Sequence, residues 1–134
     1  MKLNGIYTAL ITPYNLDYSI NEQALEKVIN KIIEEGVHGI VLSGSTGENY
    51  SQTLDERIHL MKLTTKFIDK RVTLIVGTGA VTRTEDSINL GKEAKSVGAD
   101  AIMISSPPYA VPTSKENALN ALTIDKEVGL PILL

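Results

Sequence analysis

Cysteine is absent from these 134 residues, which excludes disulfides, thiolate nucleophiles and cysteine-ligated zinc, and fits an intracellular home. Aromatic residues are scarce, with five tyrosines, one phenylalanine and no tryptophan. So few stacking surfaces, a formal net charge of −3 and basic residues scattered instead of gathered in a stripe argue against a nucleic-acid partner. No apolar run approaches the ~18 residues of a membrane span, and the N-terminus lacks the basic-then-apolar order of a signal peptide. A cytoplasmic protein with no membrane partner is the expectation. Neither His38 nor His59 has a second histidine or a carboxylate at ligand spacing, so no metal centre is expected. A dinucleotide loop is missing as well. Gly77-Thr78-Gly79 lacks the third glycine of G-x-G-x-x-G, Thr82 standing in its place, and no acidic residue ends the next strand.

What is present is a repeat. Apolar strand-like runs begin near Ile6, Gly39, Val72, Ala101 and Pro131, each separated from the next by a helix-period segment, a βα unit of about thirty residues. In the first helix Leu25, Val28, Ile29, Ile32 and Ile33 share one face, opposite Lys27, Asn30, Lys31 and Glu34. Leu54, Ile58, Met61 and Ile68 form the buried stripe of the second. Capping boxes open three helices, Thr53 with Glu56, Thr82 with Glu85 and Thr113 with Glu116, while Gly36, Gly98 and Gly129 supply stops. The strands at 39–42, 72–76 and 101–104 are almost wholly apolar, as strands covered on both faces are. Periodicity alone leaves two α/β folds open, a flavodoxin-like sheet and a (β/α)8 barrel.

After the second strand the chain enters Gly44-Ser45-Thr46-Gly47-Glu48. Glycines without a Cβ let backbone N–H groups and the Ser45 and Thr46 hydroxyls converge on one spot, suited to a carboxylate or a phosphate. The plain alternative is a Gly-rich turn into a helix. Glu48 is expected to brace the loop as a buried, paired carboxylate.

This loop resembles the signature of the dihydrodipicolinate synthase and N-acetylneuraminate lyase family of pyruvate-dependent aldolases. Four further stretches resemble that family in the same order: residues 6–13 ending in Thr12-Pro13, Val76-Gly77-Thr78-Gly79-Ala80, Ser106-Pro107-Pro108-Tyr109, and Leu130-Pro131-Ile132-Leu133-Leu134. The resemblance implies a (β/α)8 TIM-barrel fold of ~250 residues, of which residues 1–134 supply about four and a half βα units, a single incomplete domain. It implies an aldolase or lyase without cofactor or metal, acting on pyruvate and an aldehyde as a homodimer or homotetramer.

In that family a Schiff-base lysine ends the sixth strand, so it lies outside this chain. The residues agree: the ten lysines fall on helix-period segments or their ends, or, as Lys2, ahead of the first strand. By position, Ser45 belongs to a proton relay and Thr46 binds the pyruvate carboxylate with help from the backbone around Gly44 and Gly47. Tyr109 reaches across a subunit interface into a neighbour's relay, or else pins its own Pro-rich loop. Thr12, Pro13 and Thr78 line the barrel mouth. Serine at position 45 leans toward lyases, whereas threonine is common there in synthases. Pro108 and Val81 stand where lysine-regulated synthases often carry tyrosine and asparagine, so lysine feedback is not carried over. A rival of another class stays open, a half-barrel binding or assembly module that dimerises without catalysis, as does a truncated product.

Overall fold

The computed structural model describes residues 3–134. Five strands, β1 (Tyr7–Ala9), β2 (Gly39–Leu42), β3 (Thr73–Gly77), β4 (Ala101–Met103) and β5 (Ile132–Leu133), alternate with four helices, α1 (Glu22–Glu34), α2 (Leu54–Ile68), α3 (Thr84–Val97) and α4 (Ser114–Val128). All neighbours are parallel and the spatial order is β1-β2-β3-β4-β5. That order decides between the two folds: a flavodoxin-like sheet reverses its winding after the first strand, whereas a barrel adds each strand beside the last. The chain has the architecture of the N-terminal portion of a (β/α)8 barrel.

Helix amphipathicity builds the core. Leu25 and Ile29 of α1, Leu60 and Met61 of α2, Leu90 and Ala94 of α3 and Ile124 and Val128 of α4 join strand residues such as Ile40, Leu42, Val76 and Ile102 in one cluster. Each fully buried aliphatic side chain contributes about 1.5–3 kcal/mol, so this single layer between sheet and helices dominates stability. The α1 stripe is as the periodicity predicts. In α2, Leu54 and Ile58 are only half-buried while Arg57 and Thr64 are buried beside Leu60.

Two capping boxes form as read. Thr53 Oγ1 accepts from Glu56 N and the Glu56 carboxylate accepts from Thr53 N, with the same exchange at Thr113 and Glu116. The third does not. Because α3 begins at Thr84 with Arg83 at the N-cap and no side-chain cap bond, Thr82 lies one residue too early and Glu85 falls second in the helix, not third. Glu85 faces Arg83 instead, at 3.7 Å. Gly36, Gly98 and Gly129 follow their helices with φ of +86°, +91° and +65°, as the stops require.

Candidate functional site

The site starts where β2 leaves the sheet. Leu42 pairs with Val76, the last register pair. Ser43 then turns into the left-handed region at φ +54° and is fully buried. Two carbonyls fall beyond the ladder there, and side chains take the place of a strand: Asn49 Nδ2 donates to Ser43 O at 2.7 Å, and Arg57 Nη2 donates to Gly77 O at 2.8 Å. A Cβ on Gly77 would collide with the Ser43 carbonyl, so only glycine lets the two strand ends meet this closely.

The following residues, Ser45–Gly47, form one 3₁₀ turn, closed by Gly47 N to Gly44 O at 3.1 Å and Glu48 N to Ser45 O at 3.0 Å. A turn of this kind leaves its first N–H groups unclaimed. Those of Ser45 and Thr46, together with both exposed hydroxyls, have no partner among the described residues. Four donors therefore sit on one short turn beyond the carboxyl end of β2, the edge at which α/β folds place their ligands. Gly47 is buried with its N–H used inside the turn, and a Cβ there would lie 2.9 Å from Leu10 O. Gly44 is buried but extended, and a Cβ would meet only Met103 Cε at 3.7 Å.

Behind the turn lies a polar brace. Thr12 Oγ1 donates to Gly47 O at 2.8 Å, and Gln52 Nε2 lies 3.0 Å from the same carbonyl, 2.8 Å from Tyr14 Oη and 3.2 Å from Thr12 Oγ1. Thr12 and Thr78, read as lining the mouth, are buried with their hydroxyls turned to protein neighbours; that of Thr78 meets Ser87 Oγ at 3.2 Å. They support the mouth from behind. Pro13 is half-buried, and its carbonyl accepts from Asn21 N.

Glu48 corrects another expectation. It is exposed, its carboxylate has no described partner, and its contribution is a left-handed backbone at φ +57° that joins the first 3₁₀ turn to a second at Asn49–Ser51. A carboxylate on the outside of a left-handed residue has water to solvate it and no reason to be buried.

Arg57 is a buried charged group that contacts the strand ends beneath the turn. It is 1% exposed, and burial lowers its pKa to about 10, so it remains a cation at neutral pH. No described carboxylate lies within ion-pair distance, and its Nε is buried without a partner. The guanidinium's bond to Gly77 O orders the end of β3.

Tyr109 stands apart from the turn. Its loop follows β4, its ring is 103% exposed and its φ is +70°, with Val111 close behind at φ +43° and 88% exposed. The ring packs on nothing among the described residues. No described lysine sits at the carboxyl end of a strand; they lie on α1 to α4 or, as Lys70, just after α2. Lys2 falls outside the described residues. A cleft of about 390 Å³ opens beside the ends of β4 and β5, between Ser105, Ser106, Asn117 and Leu134. The larger cleft, about 450 Å³, is lined by Val72, Thr73, Asp100 and other residues at the amino ends of the strands, the opposite end from the four donors, and does not belong to the site.

Asn49, Gln52 and Arg57 were not singled out from the sequence. Arg57 had a readable signal, a charge within the apolar stripe between Leu54 and Met61. Gln52 had none, since besides Gly47 its partners Tyr14 and Thr12 lie 38 and 40 residues earlier.

The sequence model of the dihydrodipicolinate synthetase family matches residues 2–134. A 4-hydroxy-tetrahydrodipicolinate synthase from Bacillus velezensis is 34% identical over 134 residues, all of this chain and 46% of that protein. Among solved structures, the 4-hydroxy-tetrahydrodipicolinate synthase of Methylacidiphilum fumariolicum SolV superposes with a TM-score of 0.94 at 36% identity, over 99% of this chain and 44% of the other. The N-acetylneuraminate lyase of Fusobacterium nucleatum gives 0.91 at 31% identity, over 96% and 44%. The chain spans about half the length of the relatives it matches.

Proposed function

The chain belongs to the dihydrodipicolinate synthetase family, and from that premise we propose that the whole protein is a pyruvate-dependent Schiff-base aldolase or lyase of which this is the N-terminal part. The observation that carries the reading is the turn at residues 45–47, four unclaimed donors just beyond the carboxyl end of β2. Thr46 binds the pyruvate carboxylate with the backbone donors, flanked by Gly44 and Gly47. Ser45 passes a proton in a relay completed by Tyr109 of a partner subunit, so the active form is a homodimer or homotetramer. The lysine that attacks the pyruvate ketone comes from a later strand, and the iminium it forms serves as the electron sink for carbon–carbon bond formation or cleavage. The partner substrate is an aldehyde, no metal or cofactor takes part, and the enzyme works in the cytoplasm. Residues 1–134 constitute one incomplete domain.

The test is the intact mass of the protein purified from its own cells, before and after treatment with pyruvate and borohydride, which reduces the imine irreversibly. A species about twice the mass of this chain that gains one reduced pyruvate supports the reading. A chain of the present mass with no adduct overturns it and favours a half-barrel module whose work is association.

A further inference from the structure

The donors of Ser45 and Thr46 keep their directions only if the turn beneath them is held, and sheet pairing does not hold it, because the register ends at Leu42. What holds it is the Gly47 carbonyl, gripped by Thr12 Oγ1 at 2.8 Å and Gln52 Nε2 at 3.0 Å. Gln52 also reaches Tyr14 Oη at 2.8 Å. Tyr14 opens a small hairpin, bridged antiparallel to Ile20 and closed by Asn15 N to Ser19 O at 2.8 Å. One amide thus ties the segment after β1, the donor turn and the entry to α2. A carbonyl can only accept, so the amide nitrogen must face Gly47 O. That orientation leaves Gln52 Oε1 buried without a partner. Leucine, of similar volume, would avoid this cost; for packing alone the amide is the less stable choice, and its gain lies in the hydrogens it donates.

We infer that Gln52 is a positioning residue for the carboxylate cradle: its Nε2 hydrogens fix the Gly47 peptide and, through it, the directions of the Ser45 and Thr46 donors. The inference rests on the reading of that turn as the pyruvate site. The discriminating variant is Gln52→Glu. When ionised, its carboxylate has no hydrogen to give and sets a charge against Gly47 O; when protonated, its O–H restores a donor. Facing a carbonyl in a partly buried place raises the pKa of such a group, which brings the change into a usable range. Pyruvate stays ionised throughout.

With each substitution placed in the gene and the protein purified from its own cells, two quantities are measured at about pH 5 and about pH 8, on either side of such a raised carboxyl pKa: the pyruvate Kd by calorimetry, and amide hydrogen exchange of residues 44–48 without pyruvate. Wild type carried in parallel corrects for every other titrating group, Tyr14, Glu48 and Glu56 included. The expected result is that Q52E binds pyruvate about tenfold more weakly than wild type at the higher pH, the factor that about 1.4 kcal/mol represents, and recovers most of that at the lower pH. Its turn should exchange faster only at the higher pH. Q52L should be weakened equally at both. A purely structural role would lower Tm in both variants and leave the pyruvate pH profile of Q52E parallel to wild type, which overturns the inference, as does unchanged exchange of residues 44–48. Failure of wild type to bind pyruvate overturns the functional reading instead, and the exchange comparison still decides whether Gln52 holds the turn.

Discussion

Thr46 carries its hydroxyl into solvent without a partner in the described chain, so replacing it by valine removes a donor and almost no volume. Stability should hold while pyruvate Kd rises about tenfold or more, the value of one hydrogen bond to a charged acceptor. Calorimetry checks this, and an unchanged Kd would remove Thr46 from the carboxylate role. Legibility at this scale divided by distance along the chain. Ser45 and Thr46 were readable because four adjacent residues make the whole turn. Asn49 and Arg57 act on carbonyls that open only where β2 departs from β3, and no spacing announces that departure. Arg57 could at least be noticed as a charge on an apolar face; the amide of Gln52 on Gly47, Thr12 and Tyr14 exists only in three dimensions. Glu48 shows the reverse error, since the motif placed it but its left-handed backbone, φ +57°, turns the carboxylate to water.

Helices and their caps give the same lesson with a built-in control. Thr53, Thr82 and Thr113 each precede a glutamate by three residues, yet only the first and last sit at an N-cap. Thr53→Ala should therefore cost about 1 kcal/mol, the ordinary value of a lost N-cap, while Thr82→Ala should be close to neutral. Urea unfolding separates the two, and equal losses would mean that Thr82 is the N-cap of α3 in solution. The boxes also titrate. Hydrogen bonds from Thr53 hold the Glu56 carboxyl below its usual range, and those from Thr113 do the same for Glu116. A carboxyl with a lowered folded pKa adds stability above its unfolded pKa and loses it as pH falls through the folded value. Both contributions should thus be intact at neutral pH and fade only in acid below the ordinary glutamate range, modestly, because both groups are exposed to solvent screening. The order of strands and helices was readable because short, mostly apolar runs give way to 3.6-period segments across turn residues; the start of α3 was not, because its cap is an arginine without a cap bond.

Across the whole molecule the strand order 1-2-3-4-5 leaves β1 and β5 each with one neighbour among the described strands. Ile6, Ile11 and Leu134 near those edges are at least half exposed, and open edges of this kind favour further pairing. A second exposed surface has a different character. Tyr109 and Val111 are non-glycine residues in the left-handed region, a conformation that costs about 1–2 kcal/mol per residue, and no described side chain packs over them. Strain of that kind persists where something outside the element compensates it. On the proposed reading, a partner subunit that buried the Tyr109 ring and used its hydroxyl would supply the compensation. Tyr109→Asp should then lower the assembly mass in sedimentation velocity and reduce turnover together, since a charge replaces a buried ring. Tyr109→Phe should keep the assembly and lose turnover only, because it removes the hydroxyl and keeps the ring. If Tyr109→Asp sediments and turns over like wild type, the loop is merely an exposed turn and the relay must be completed from within one subunit.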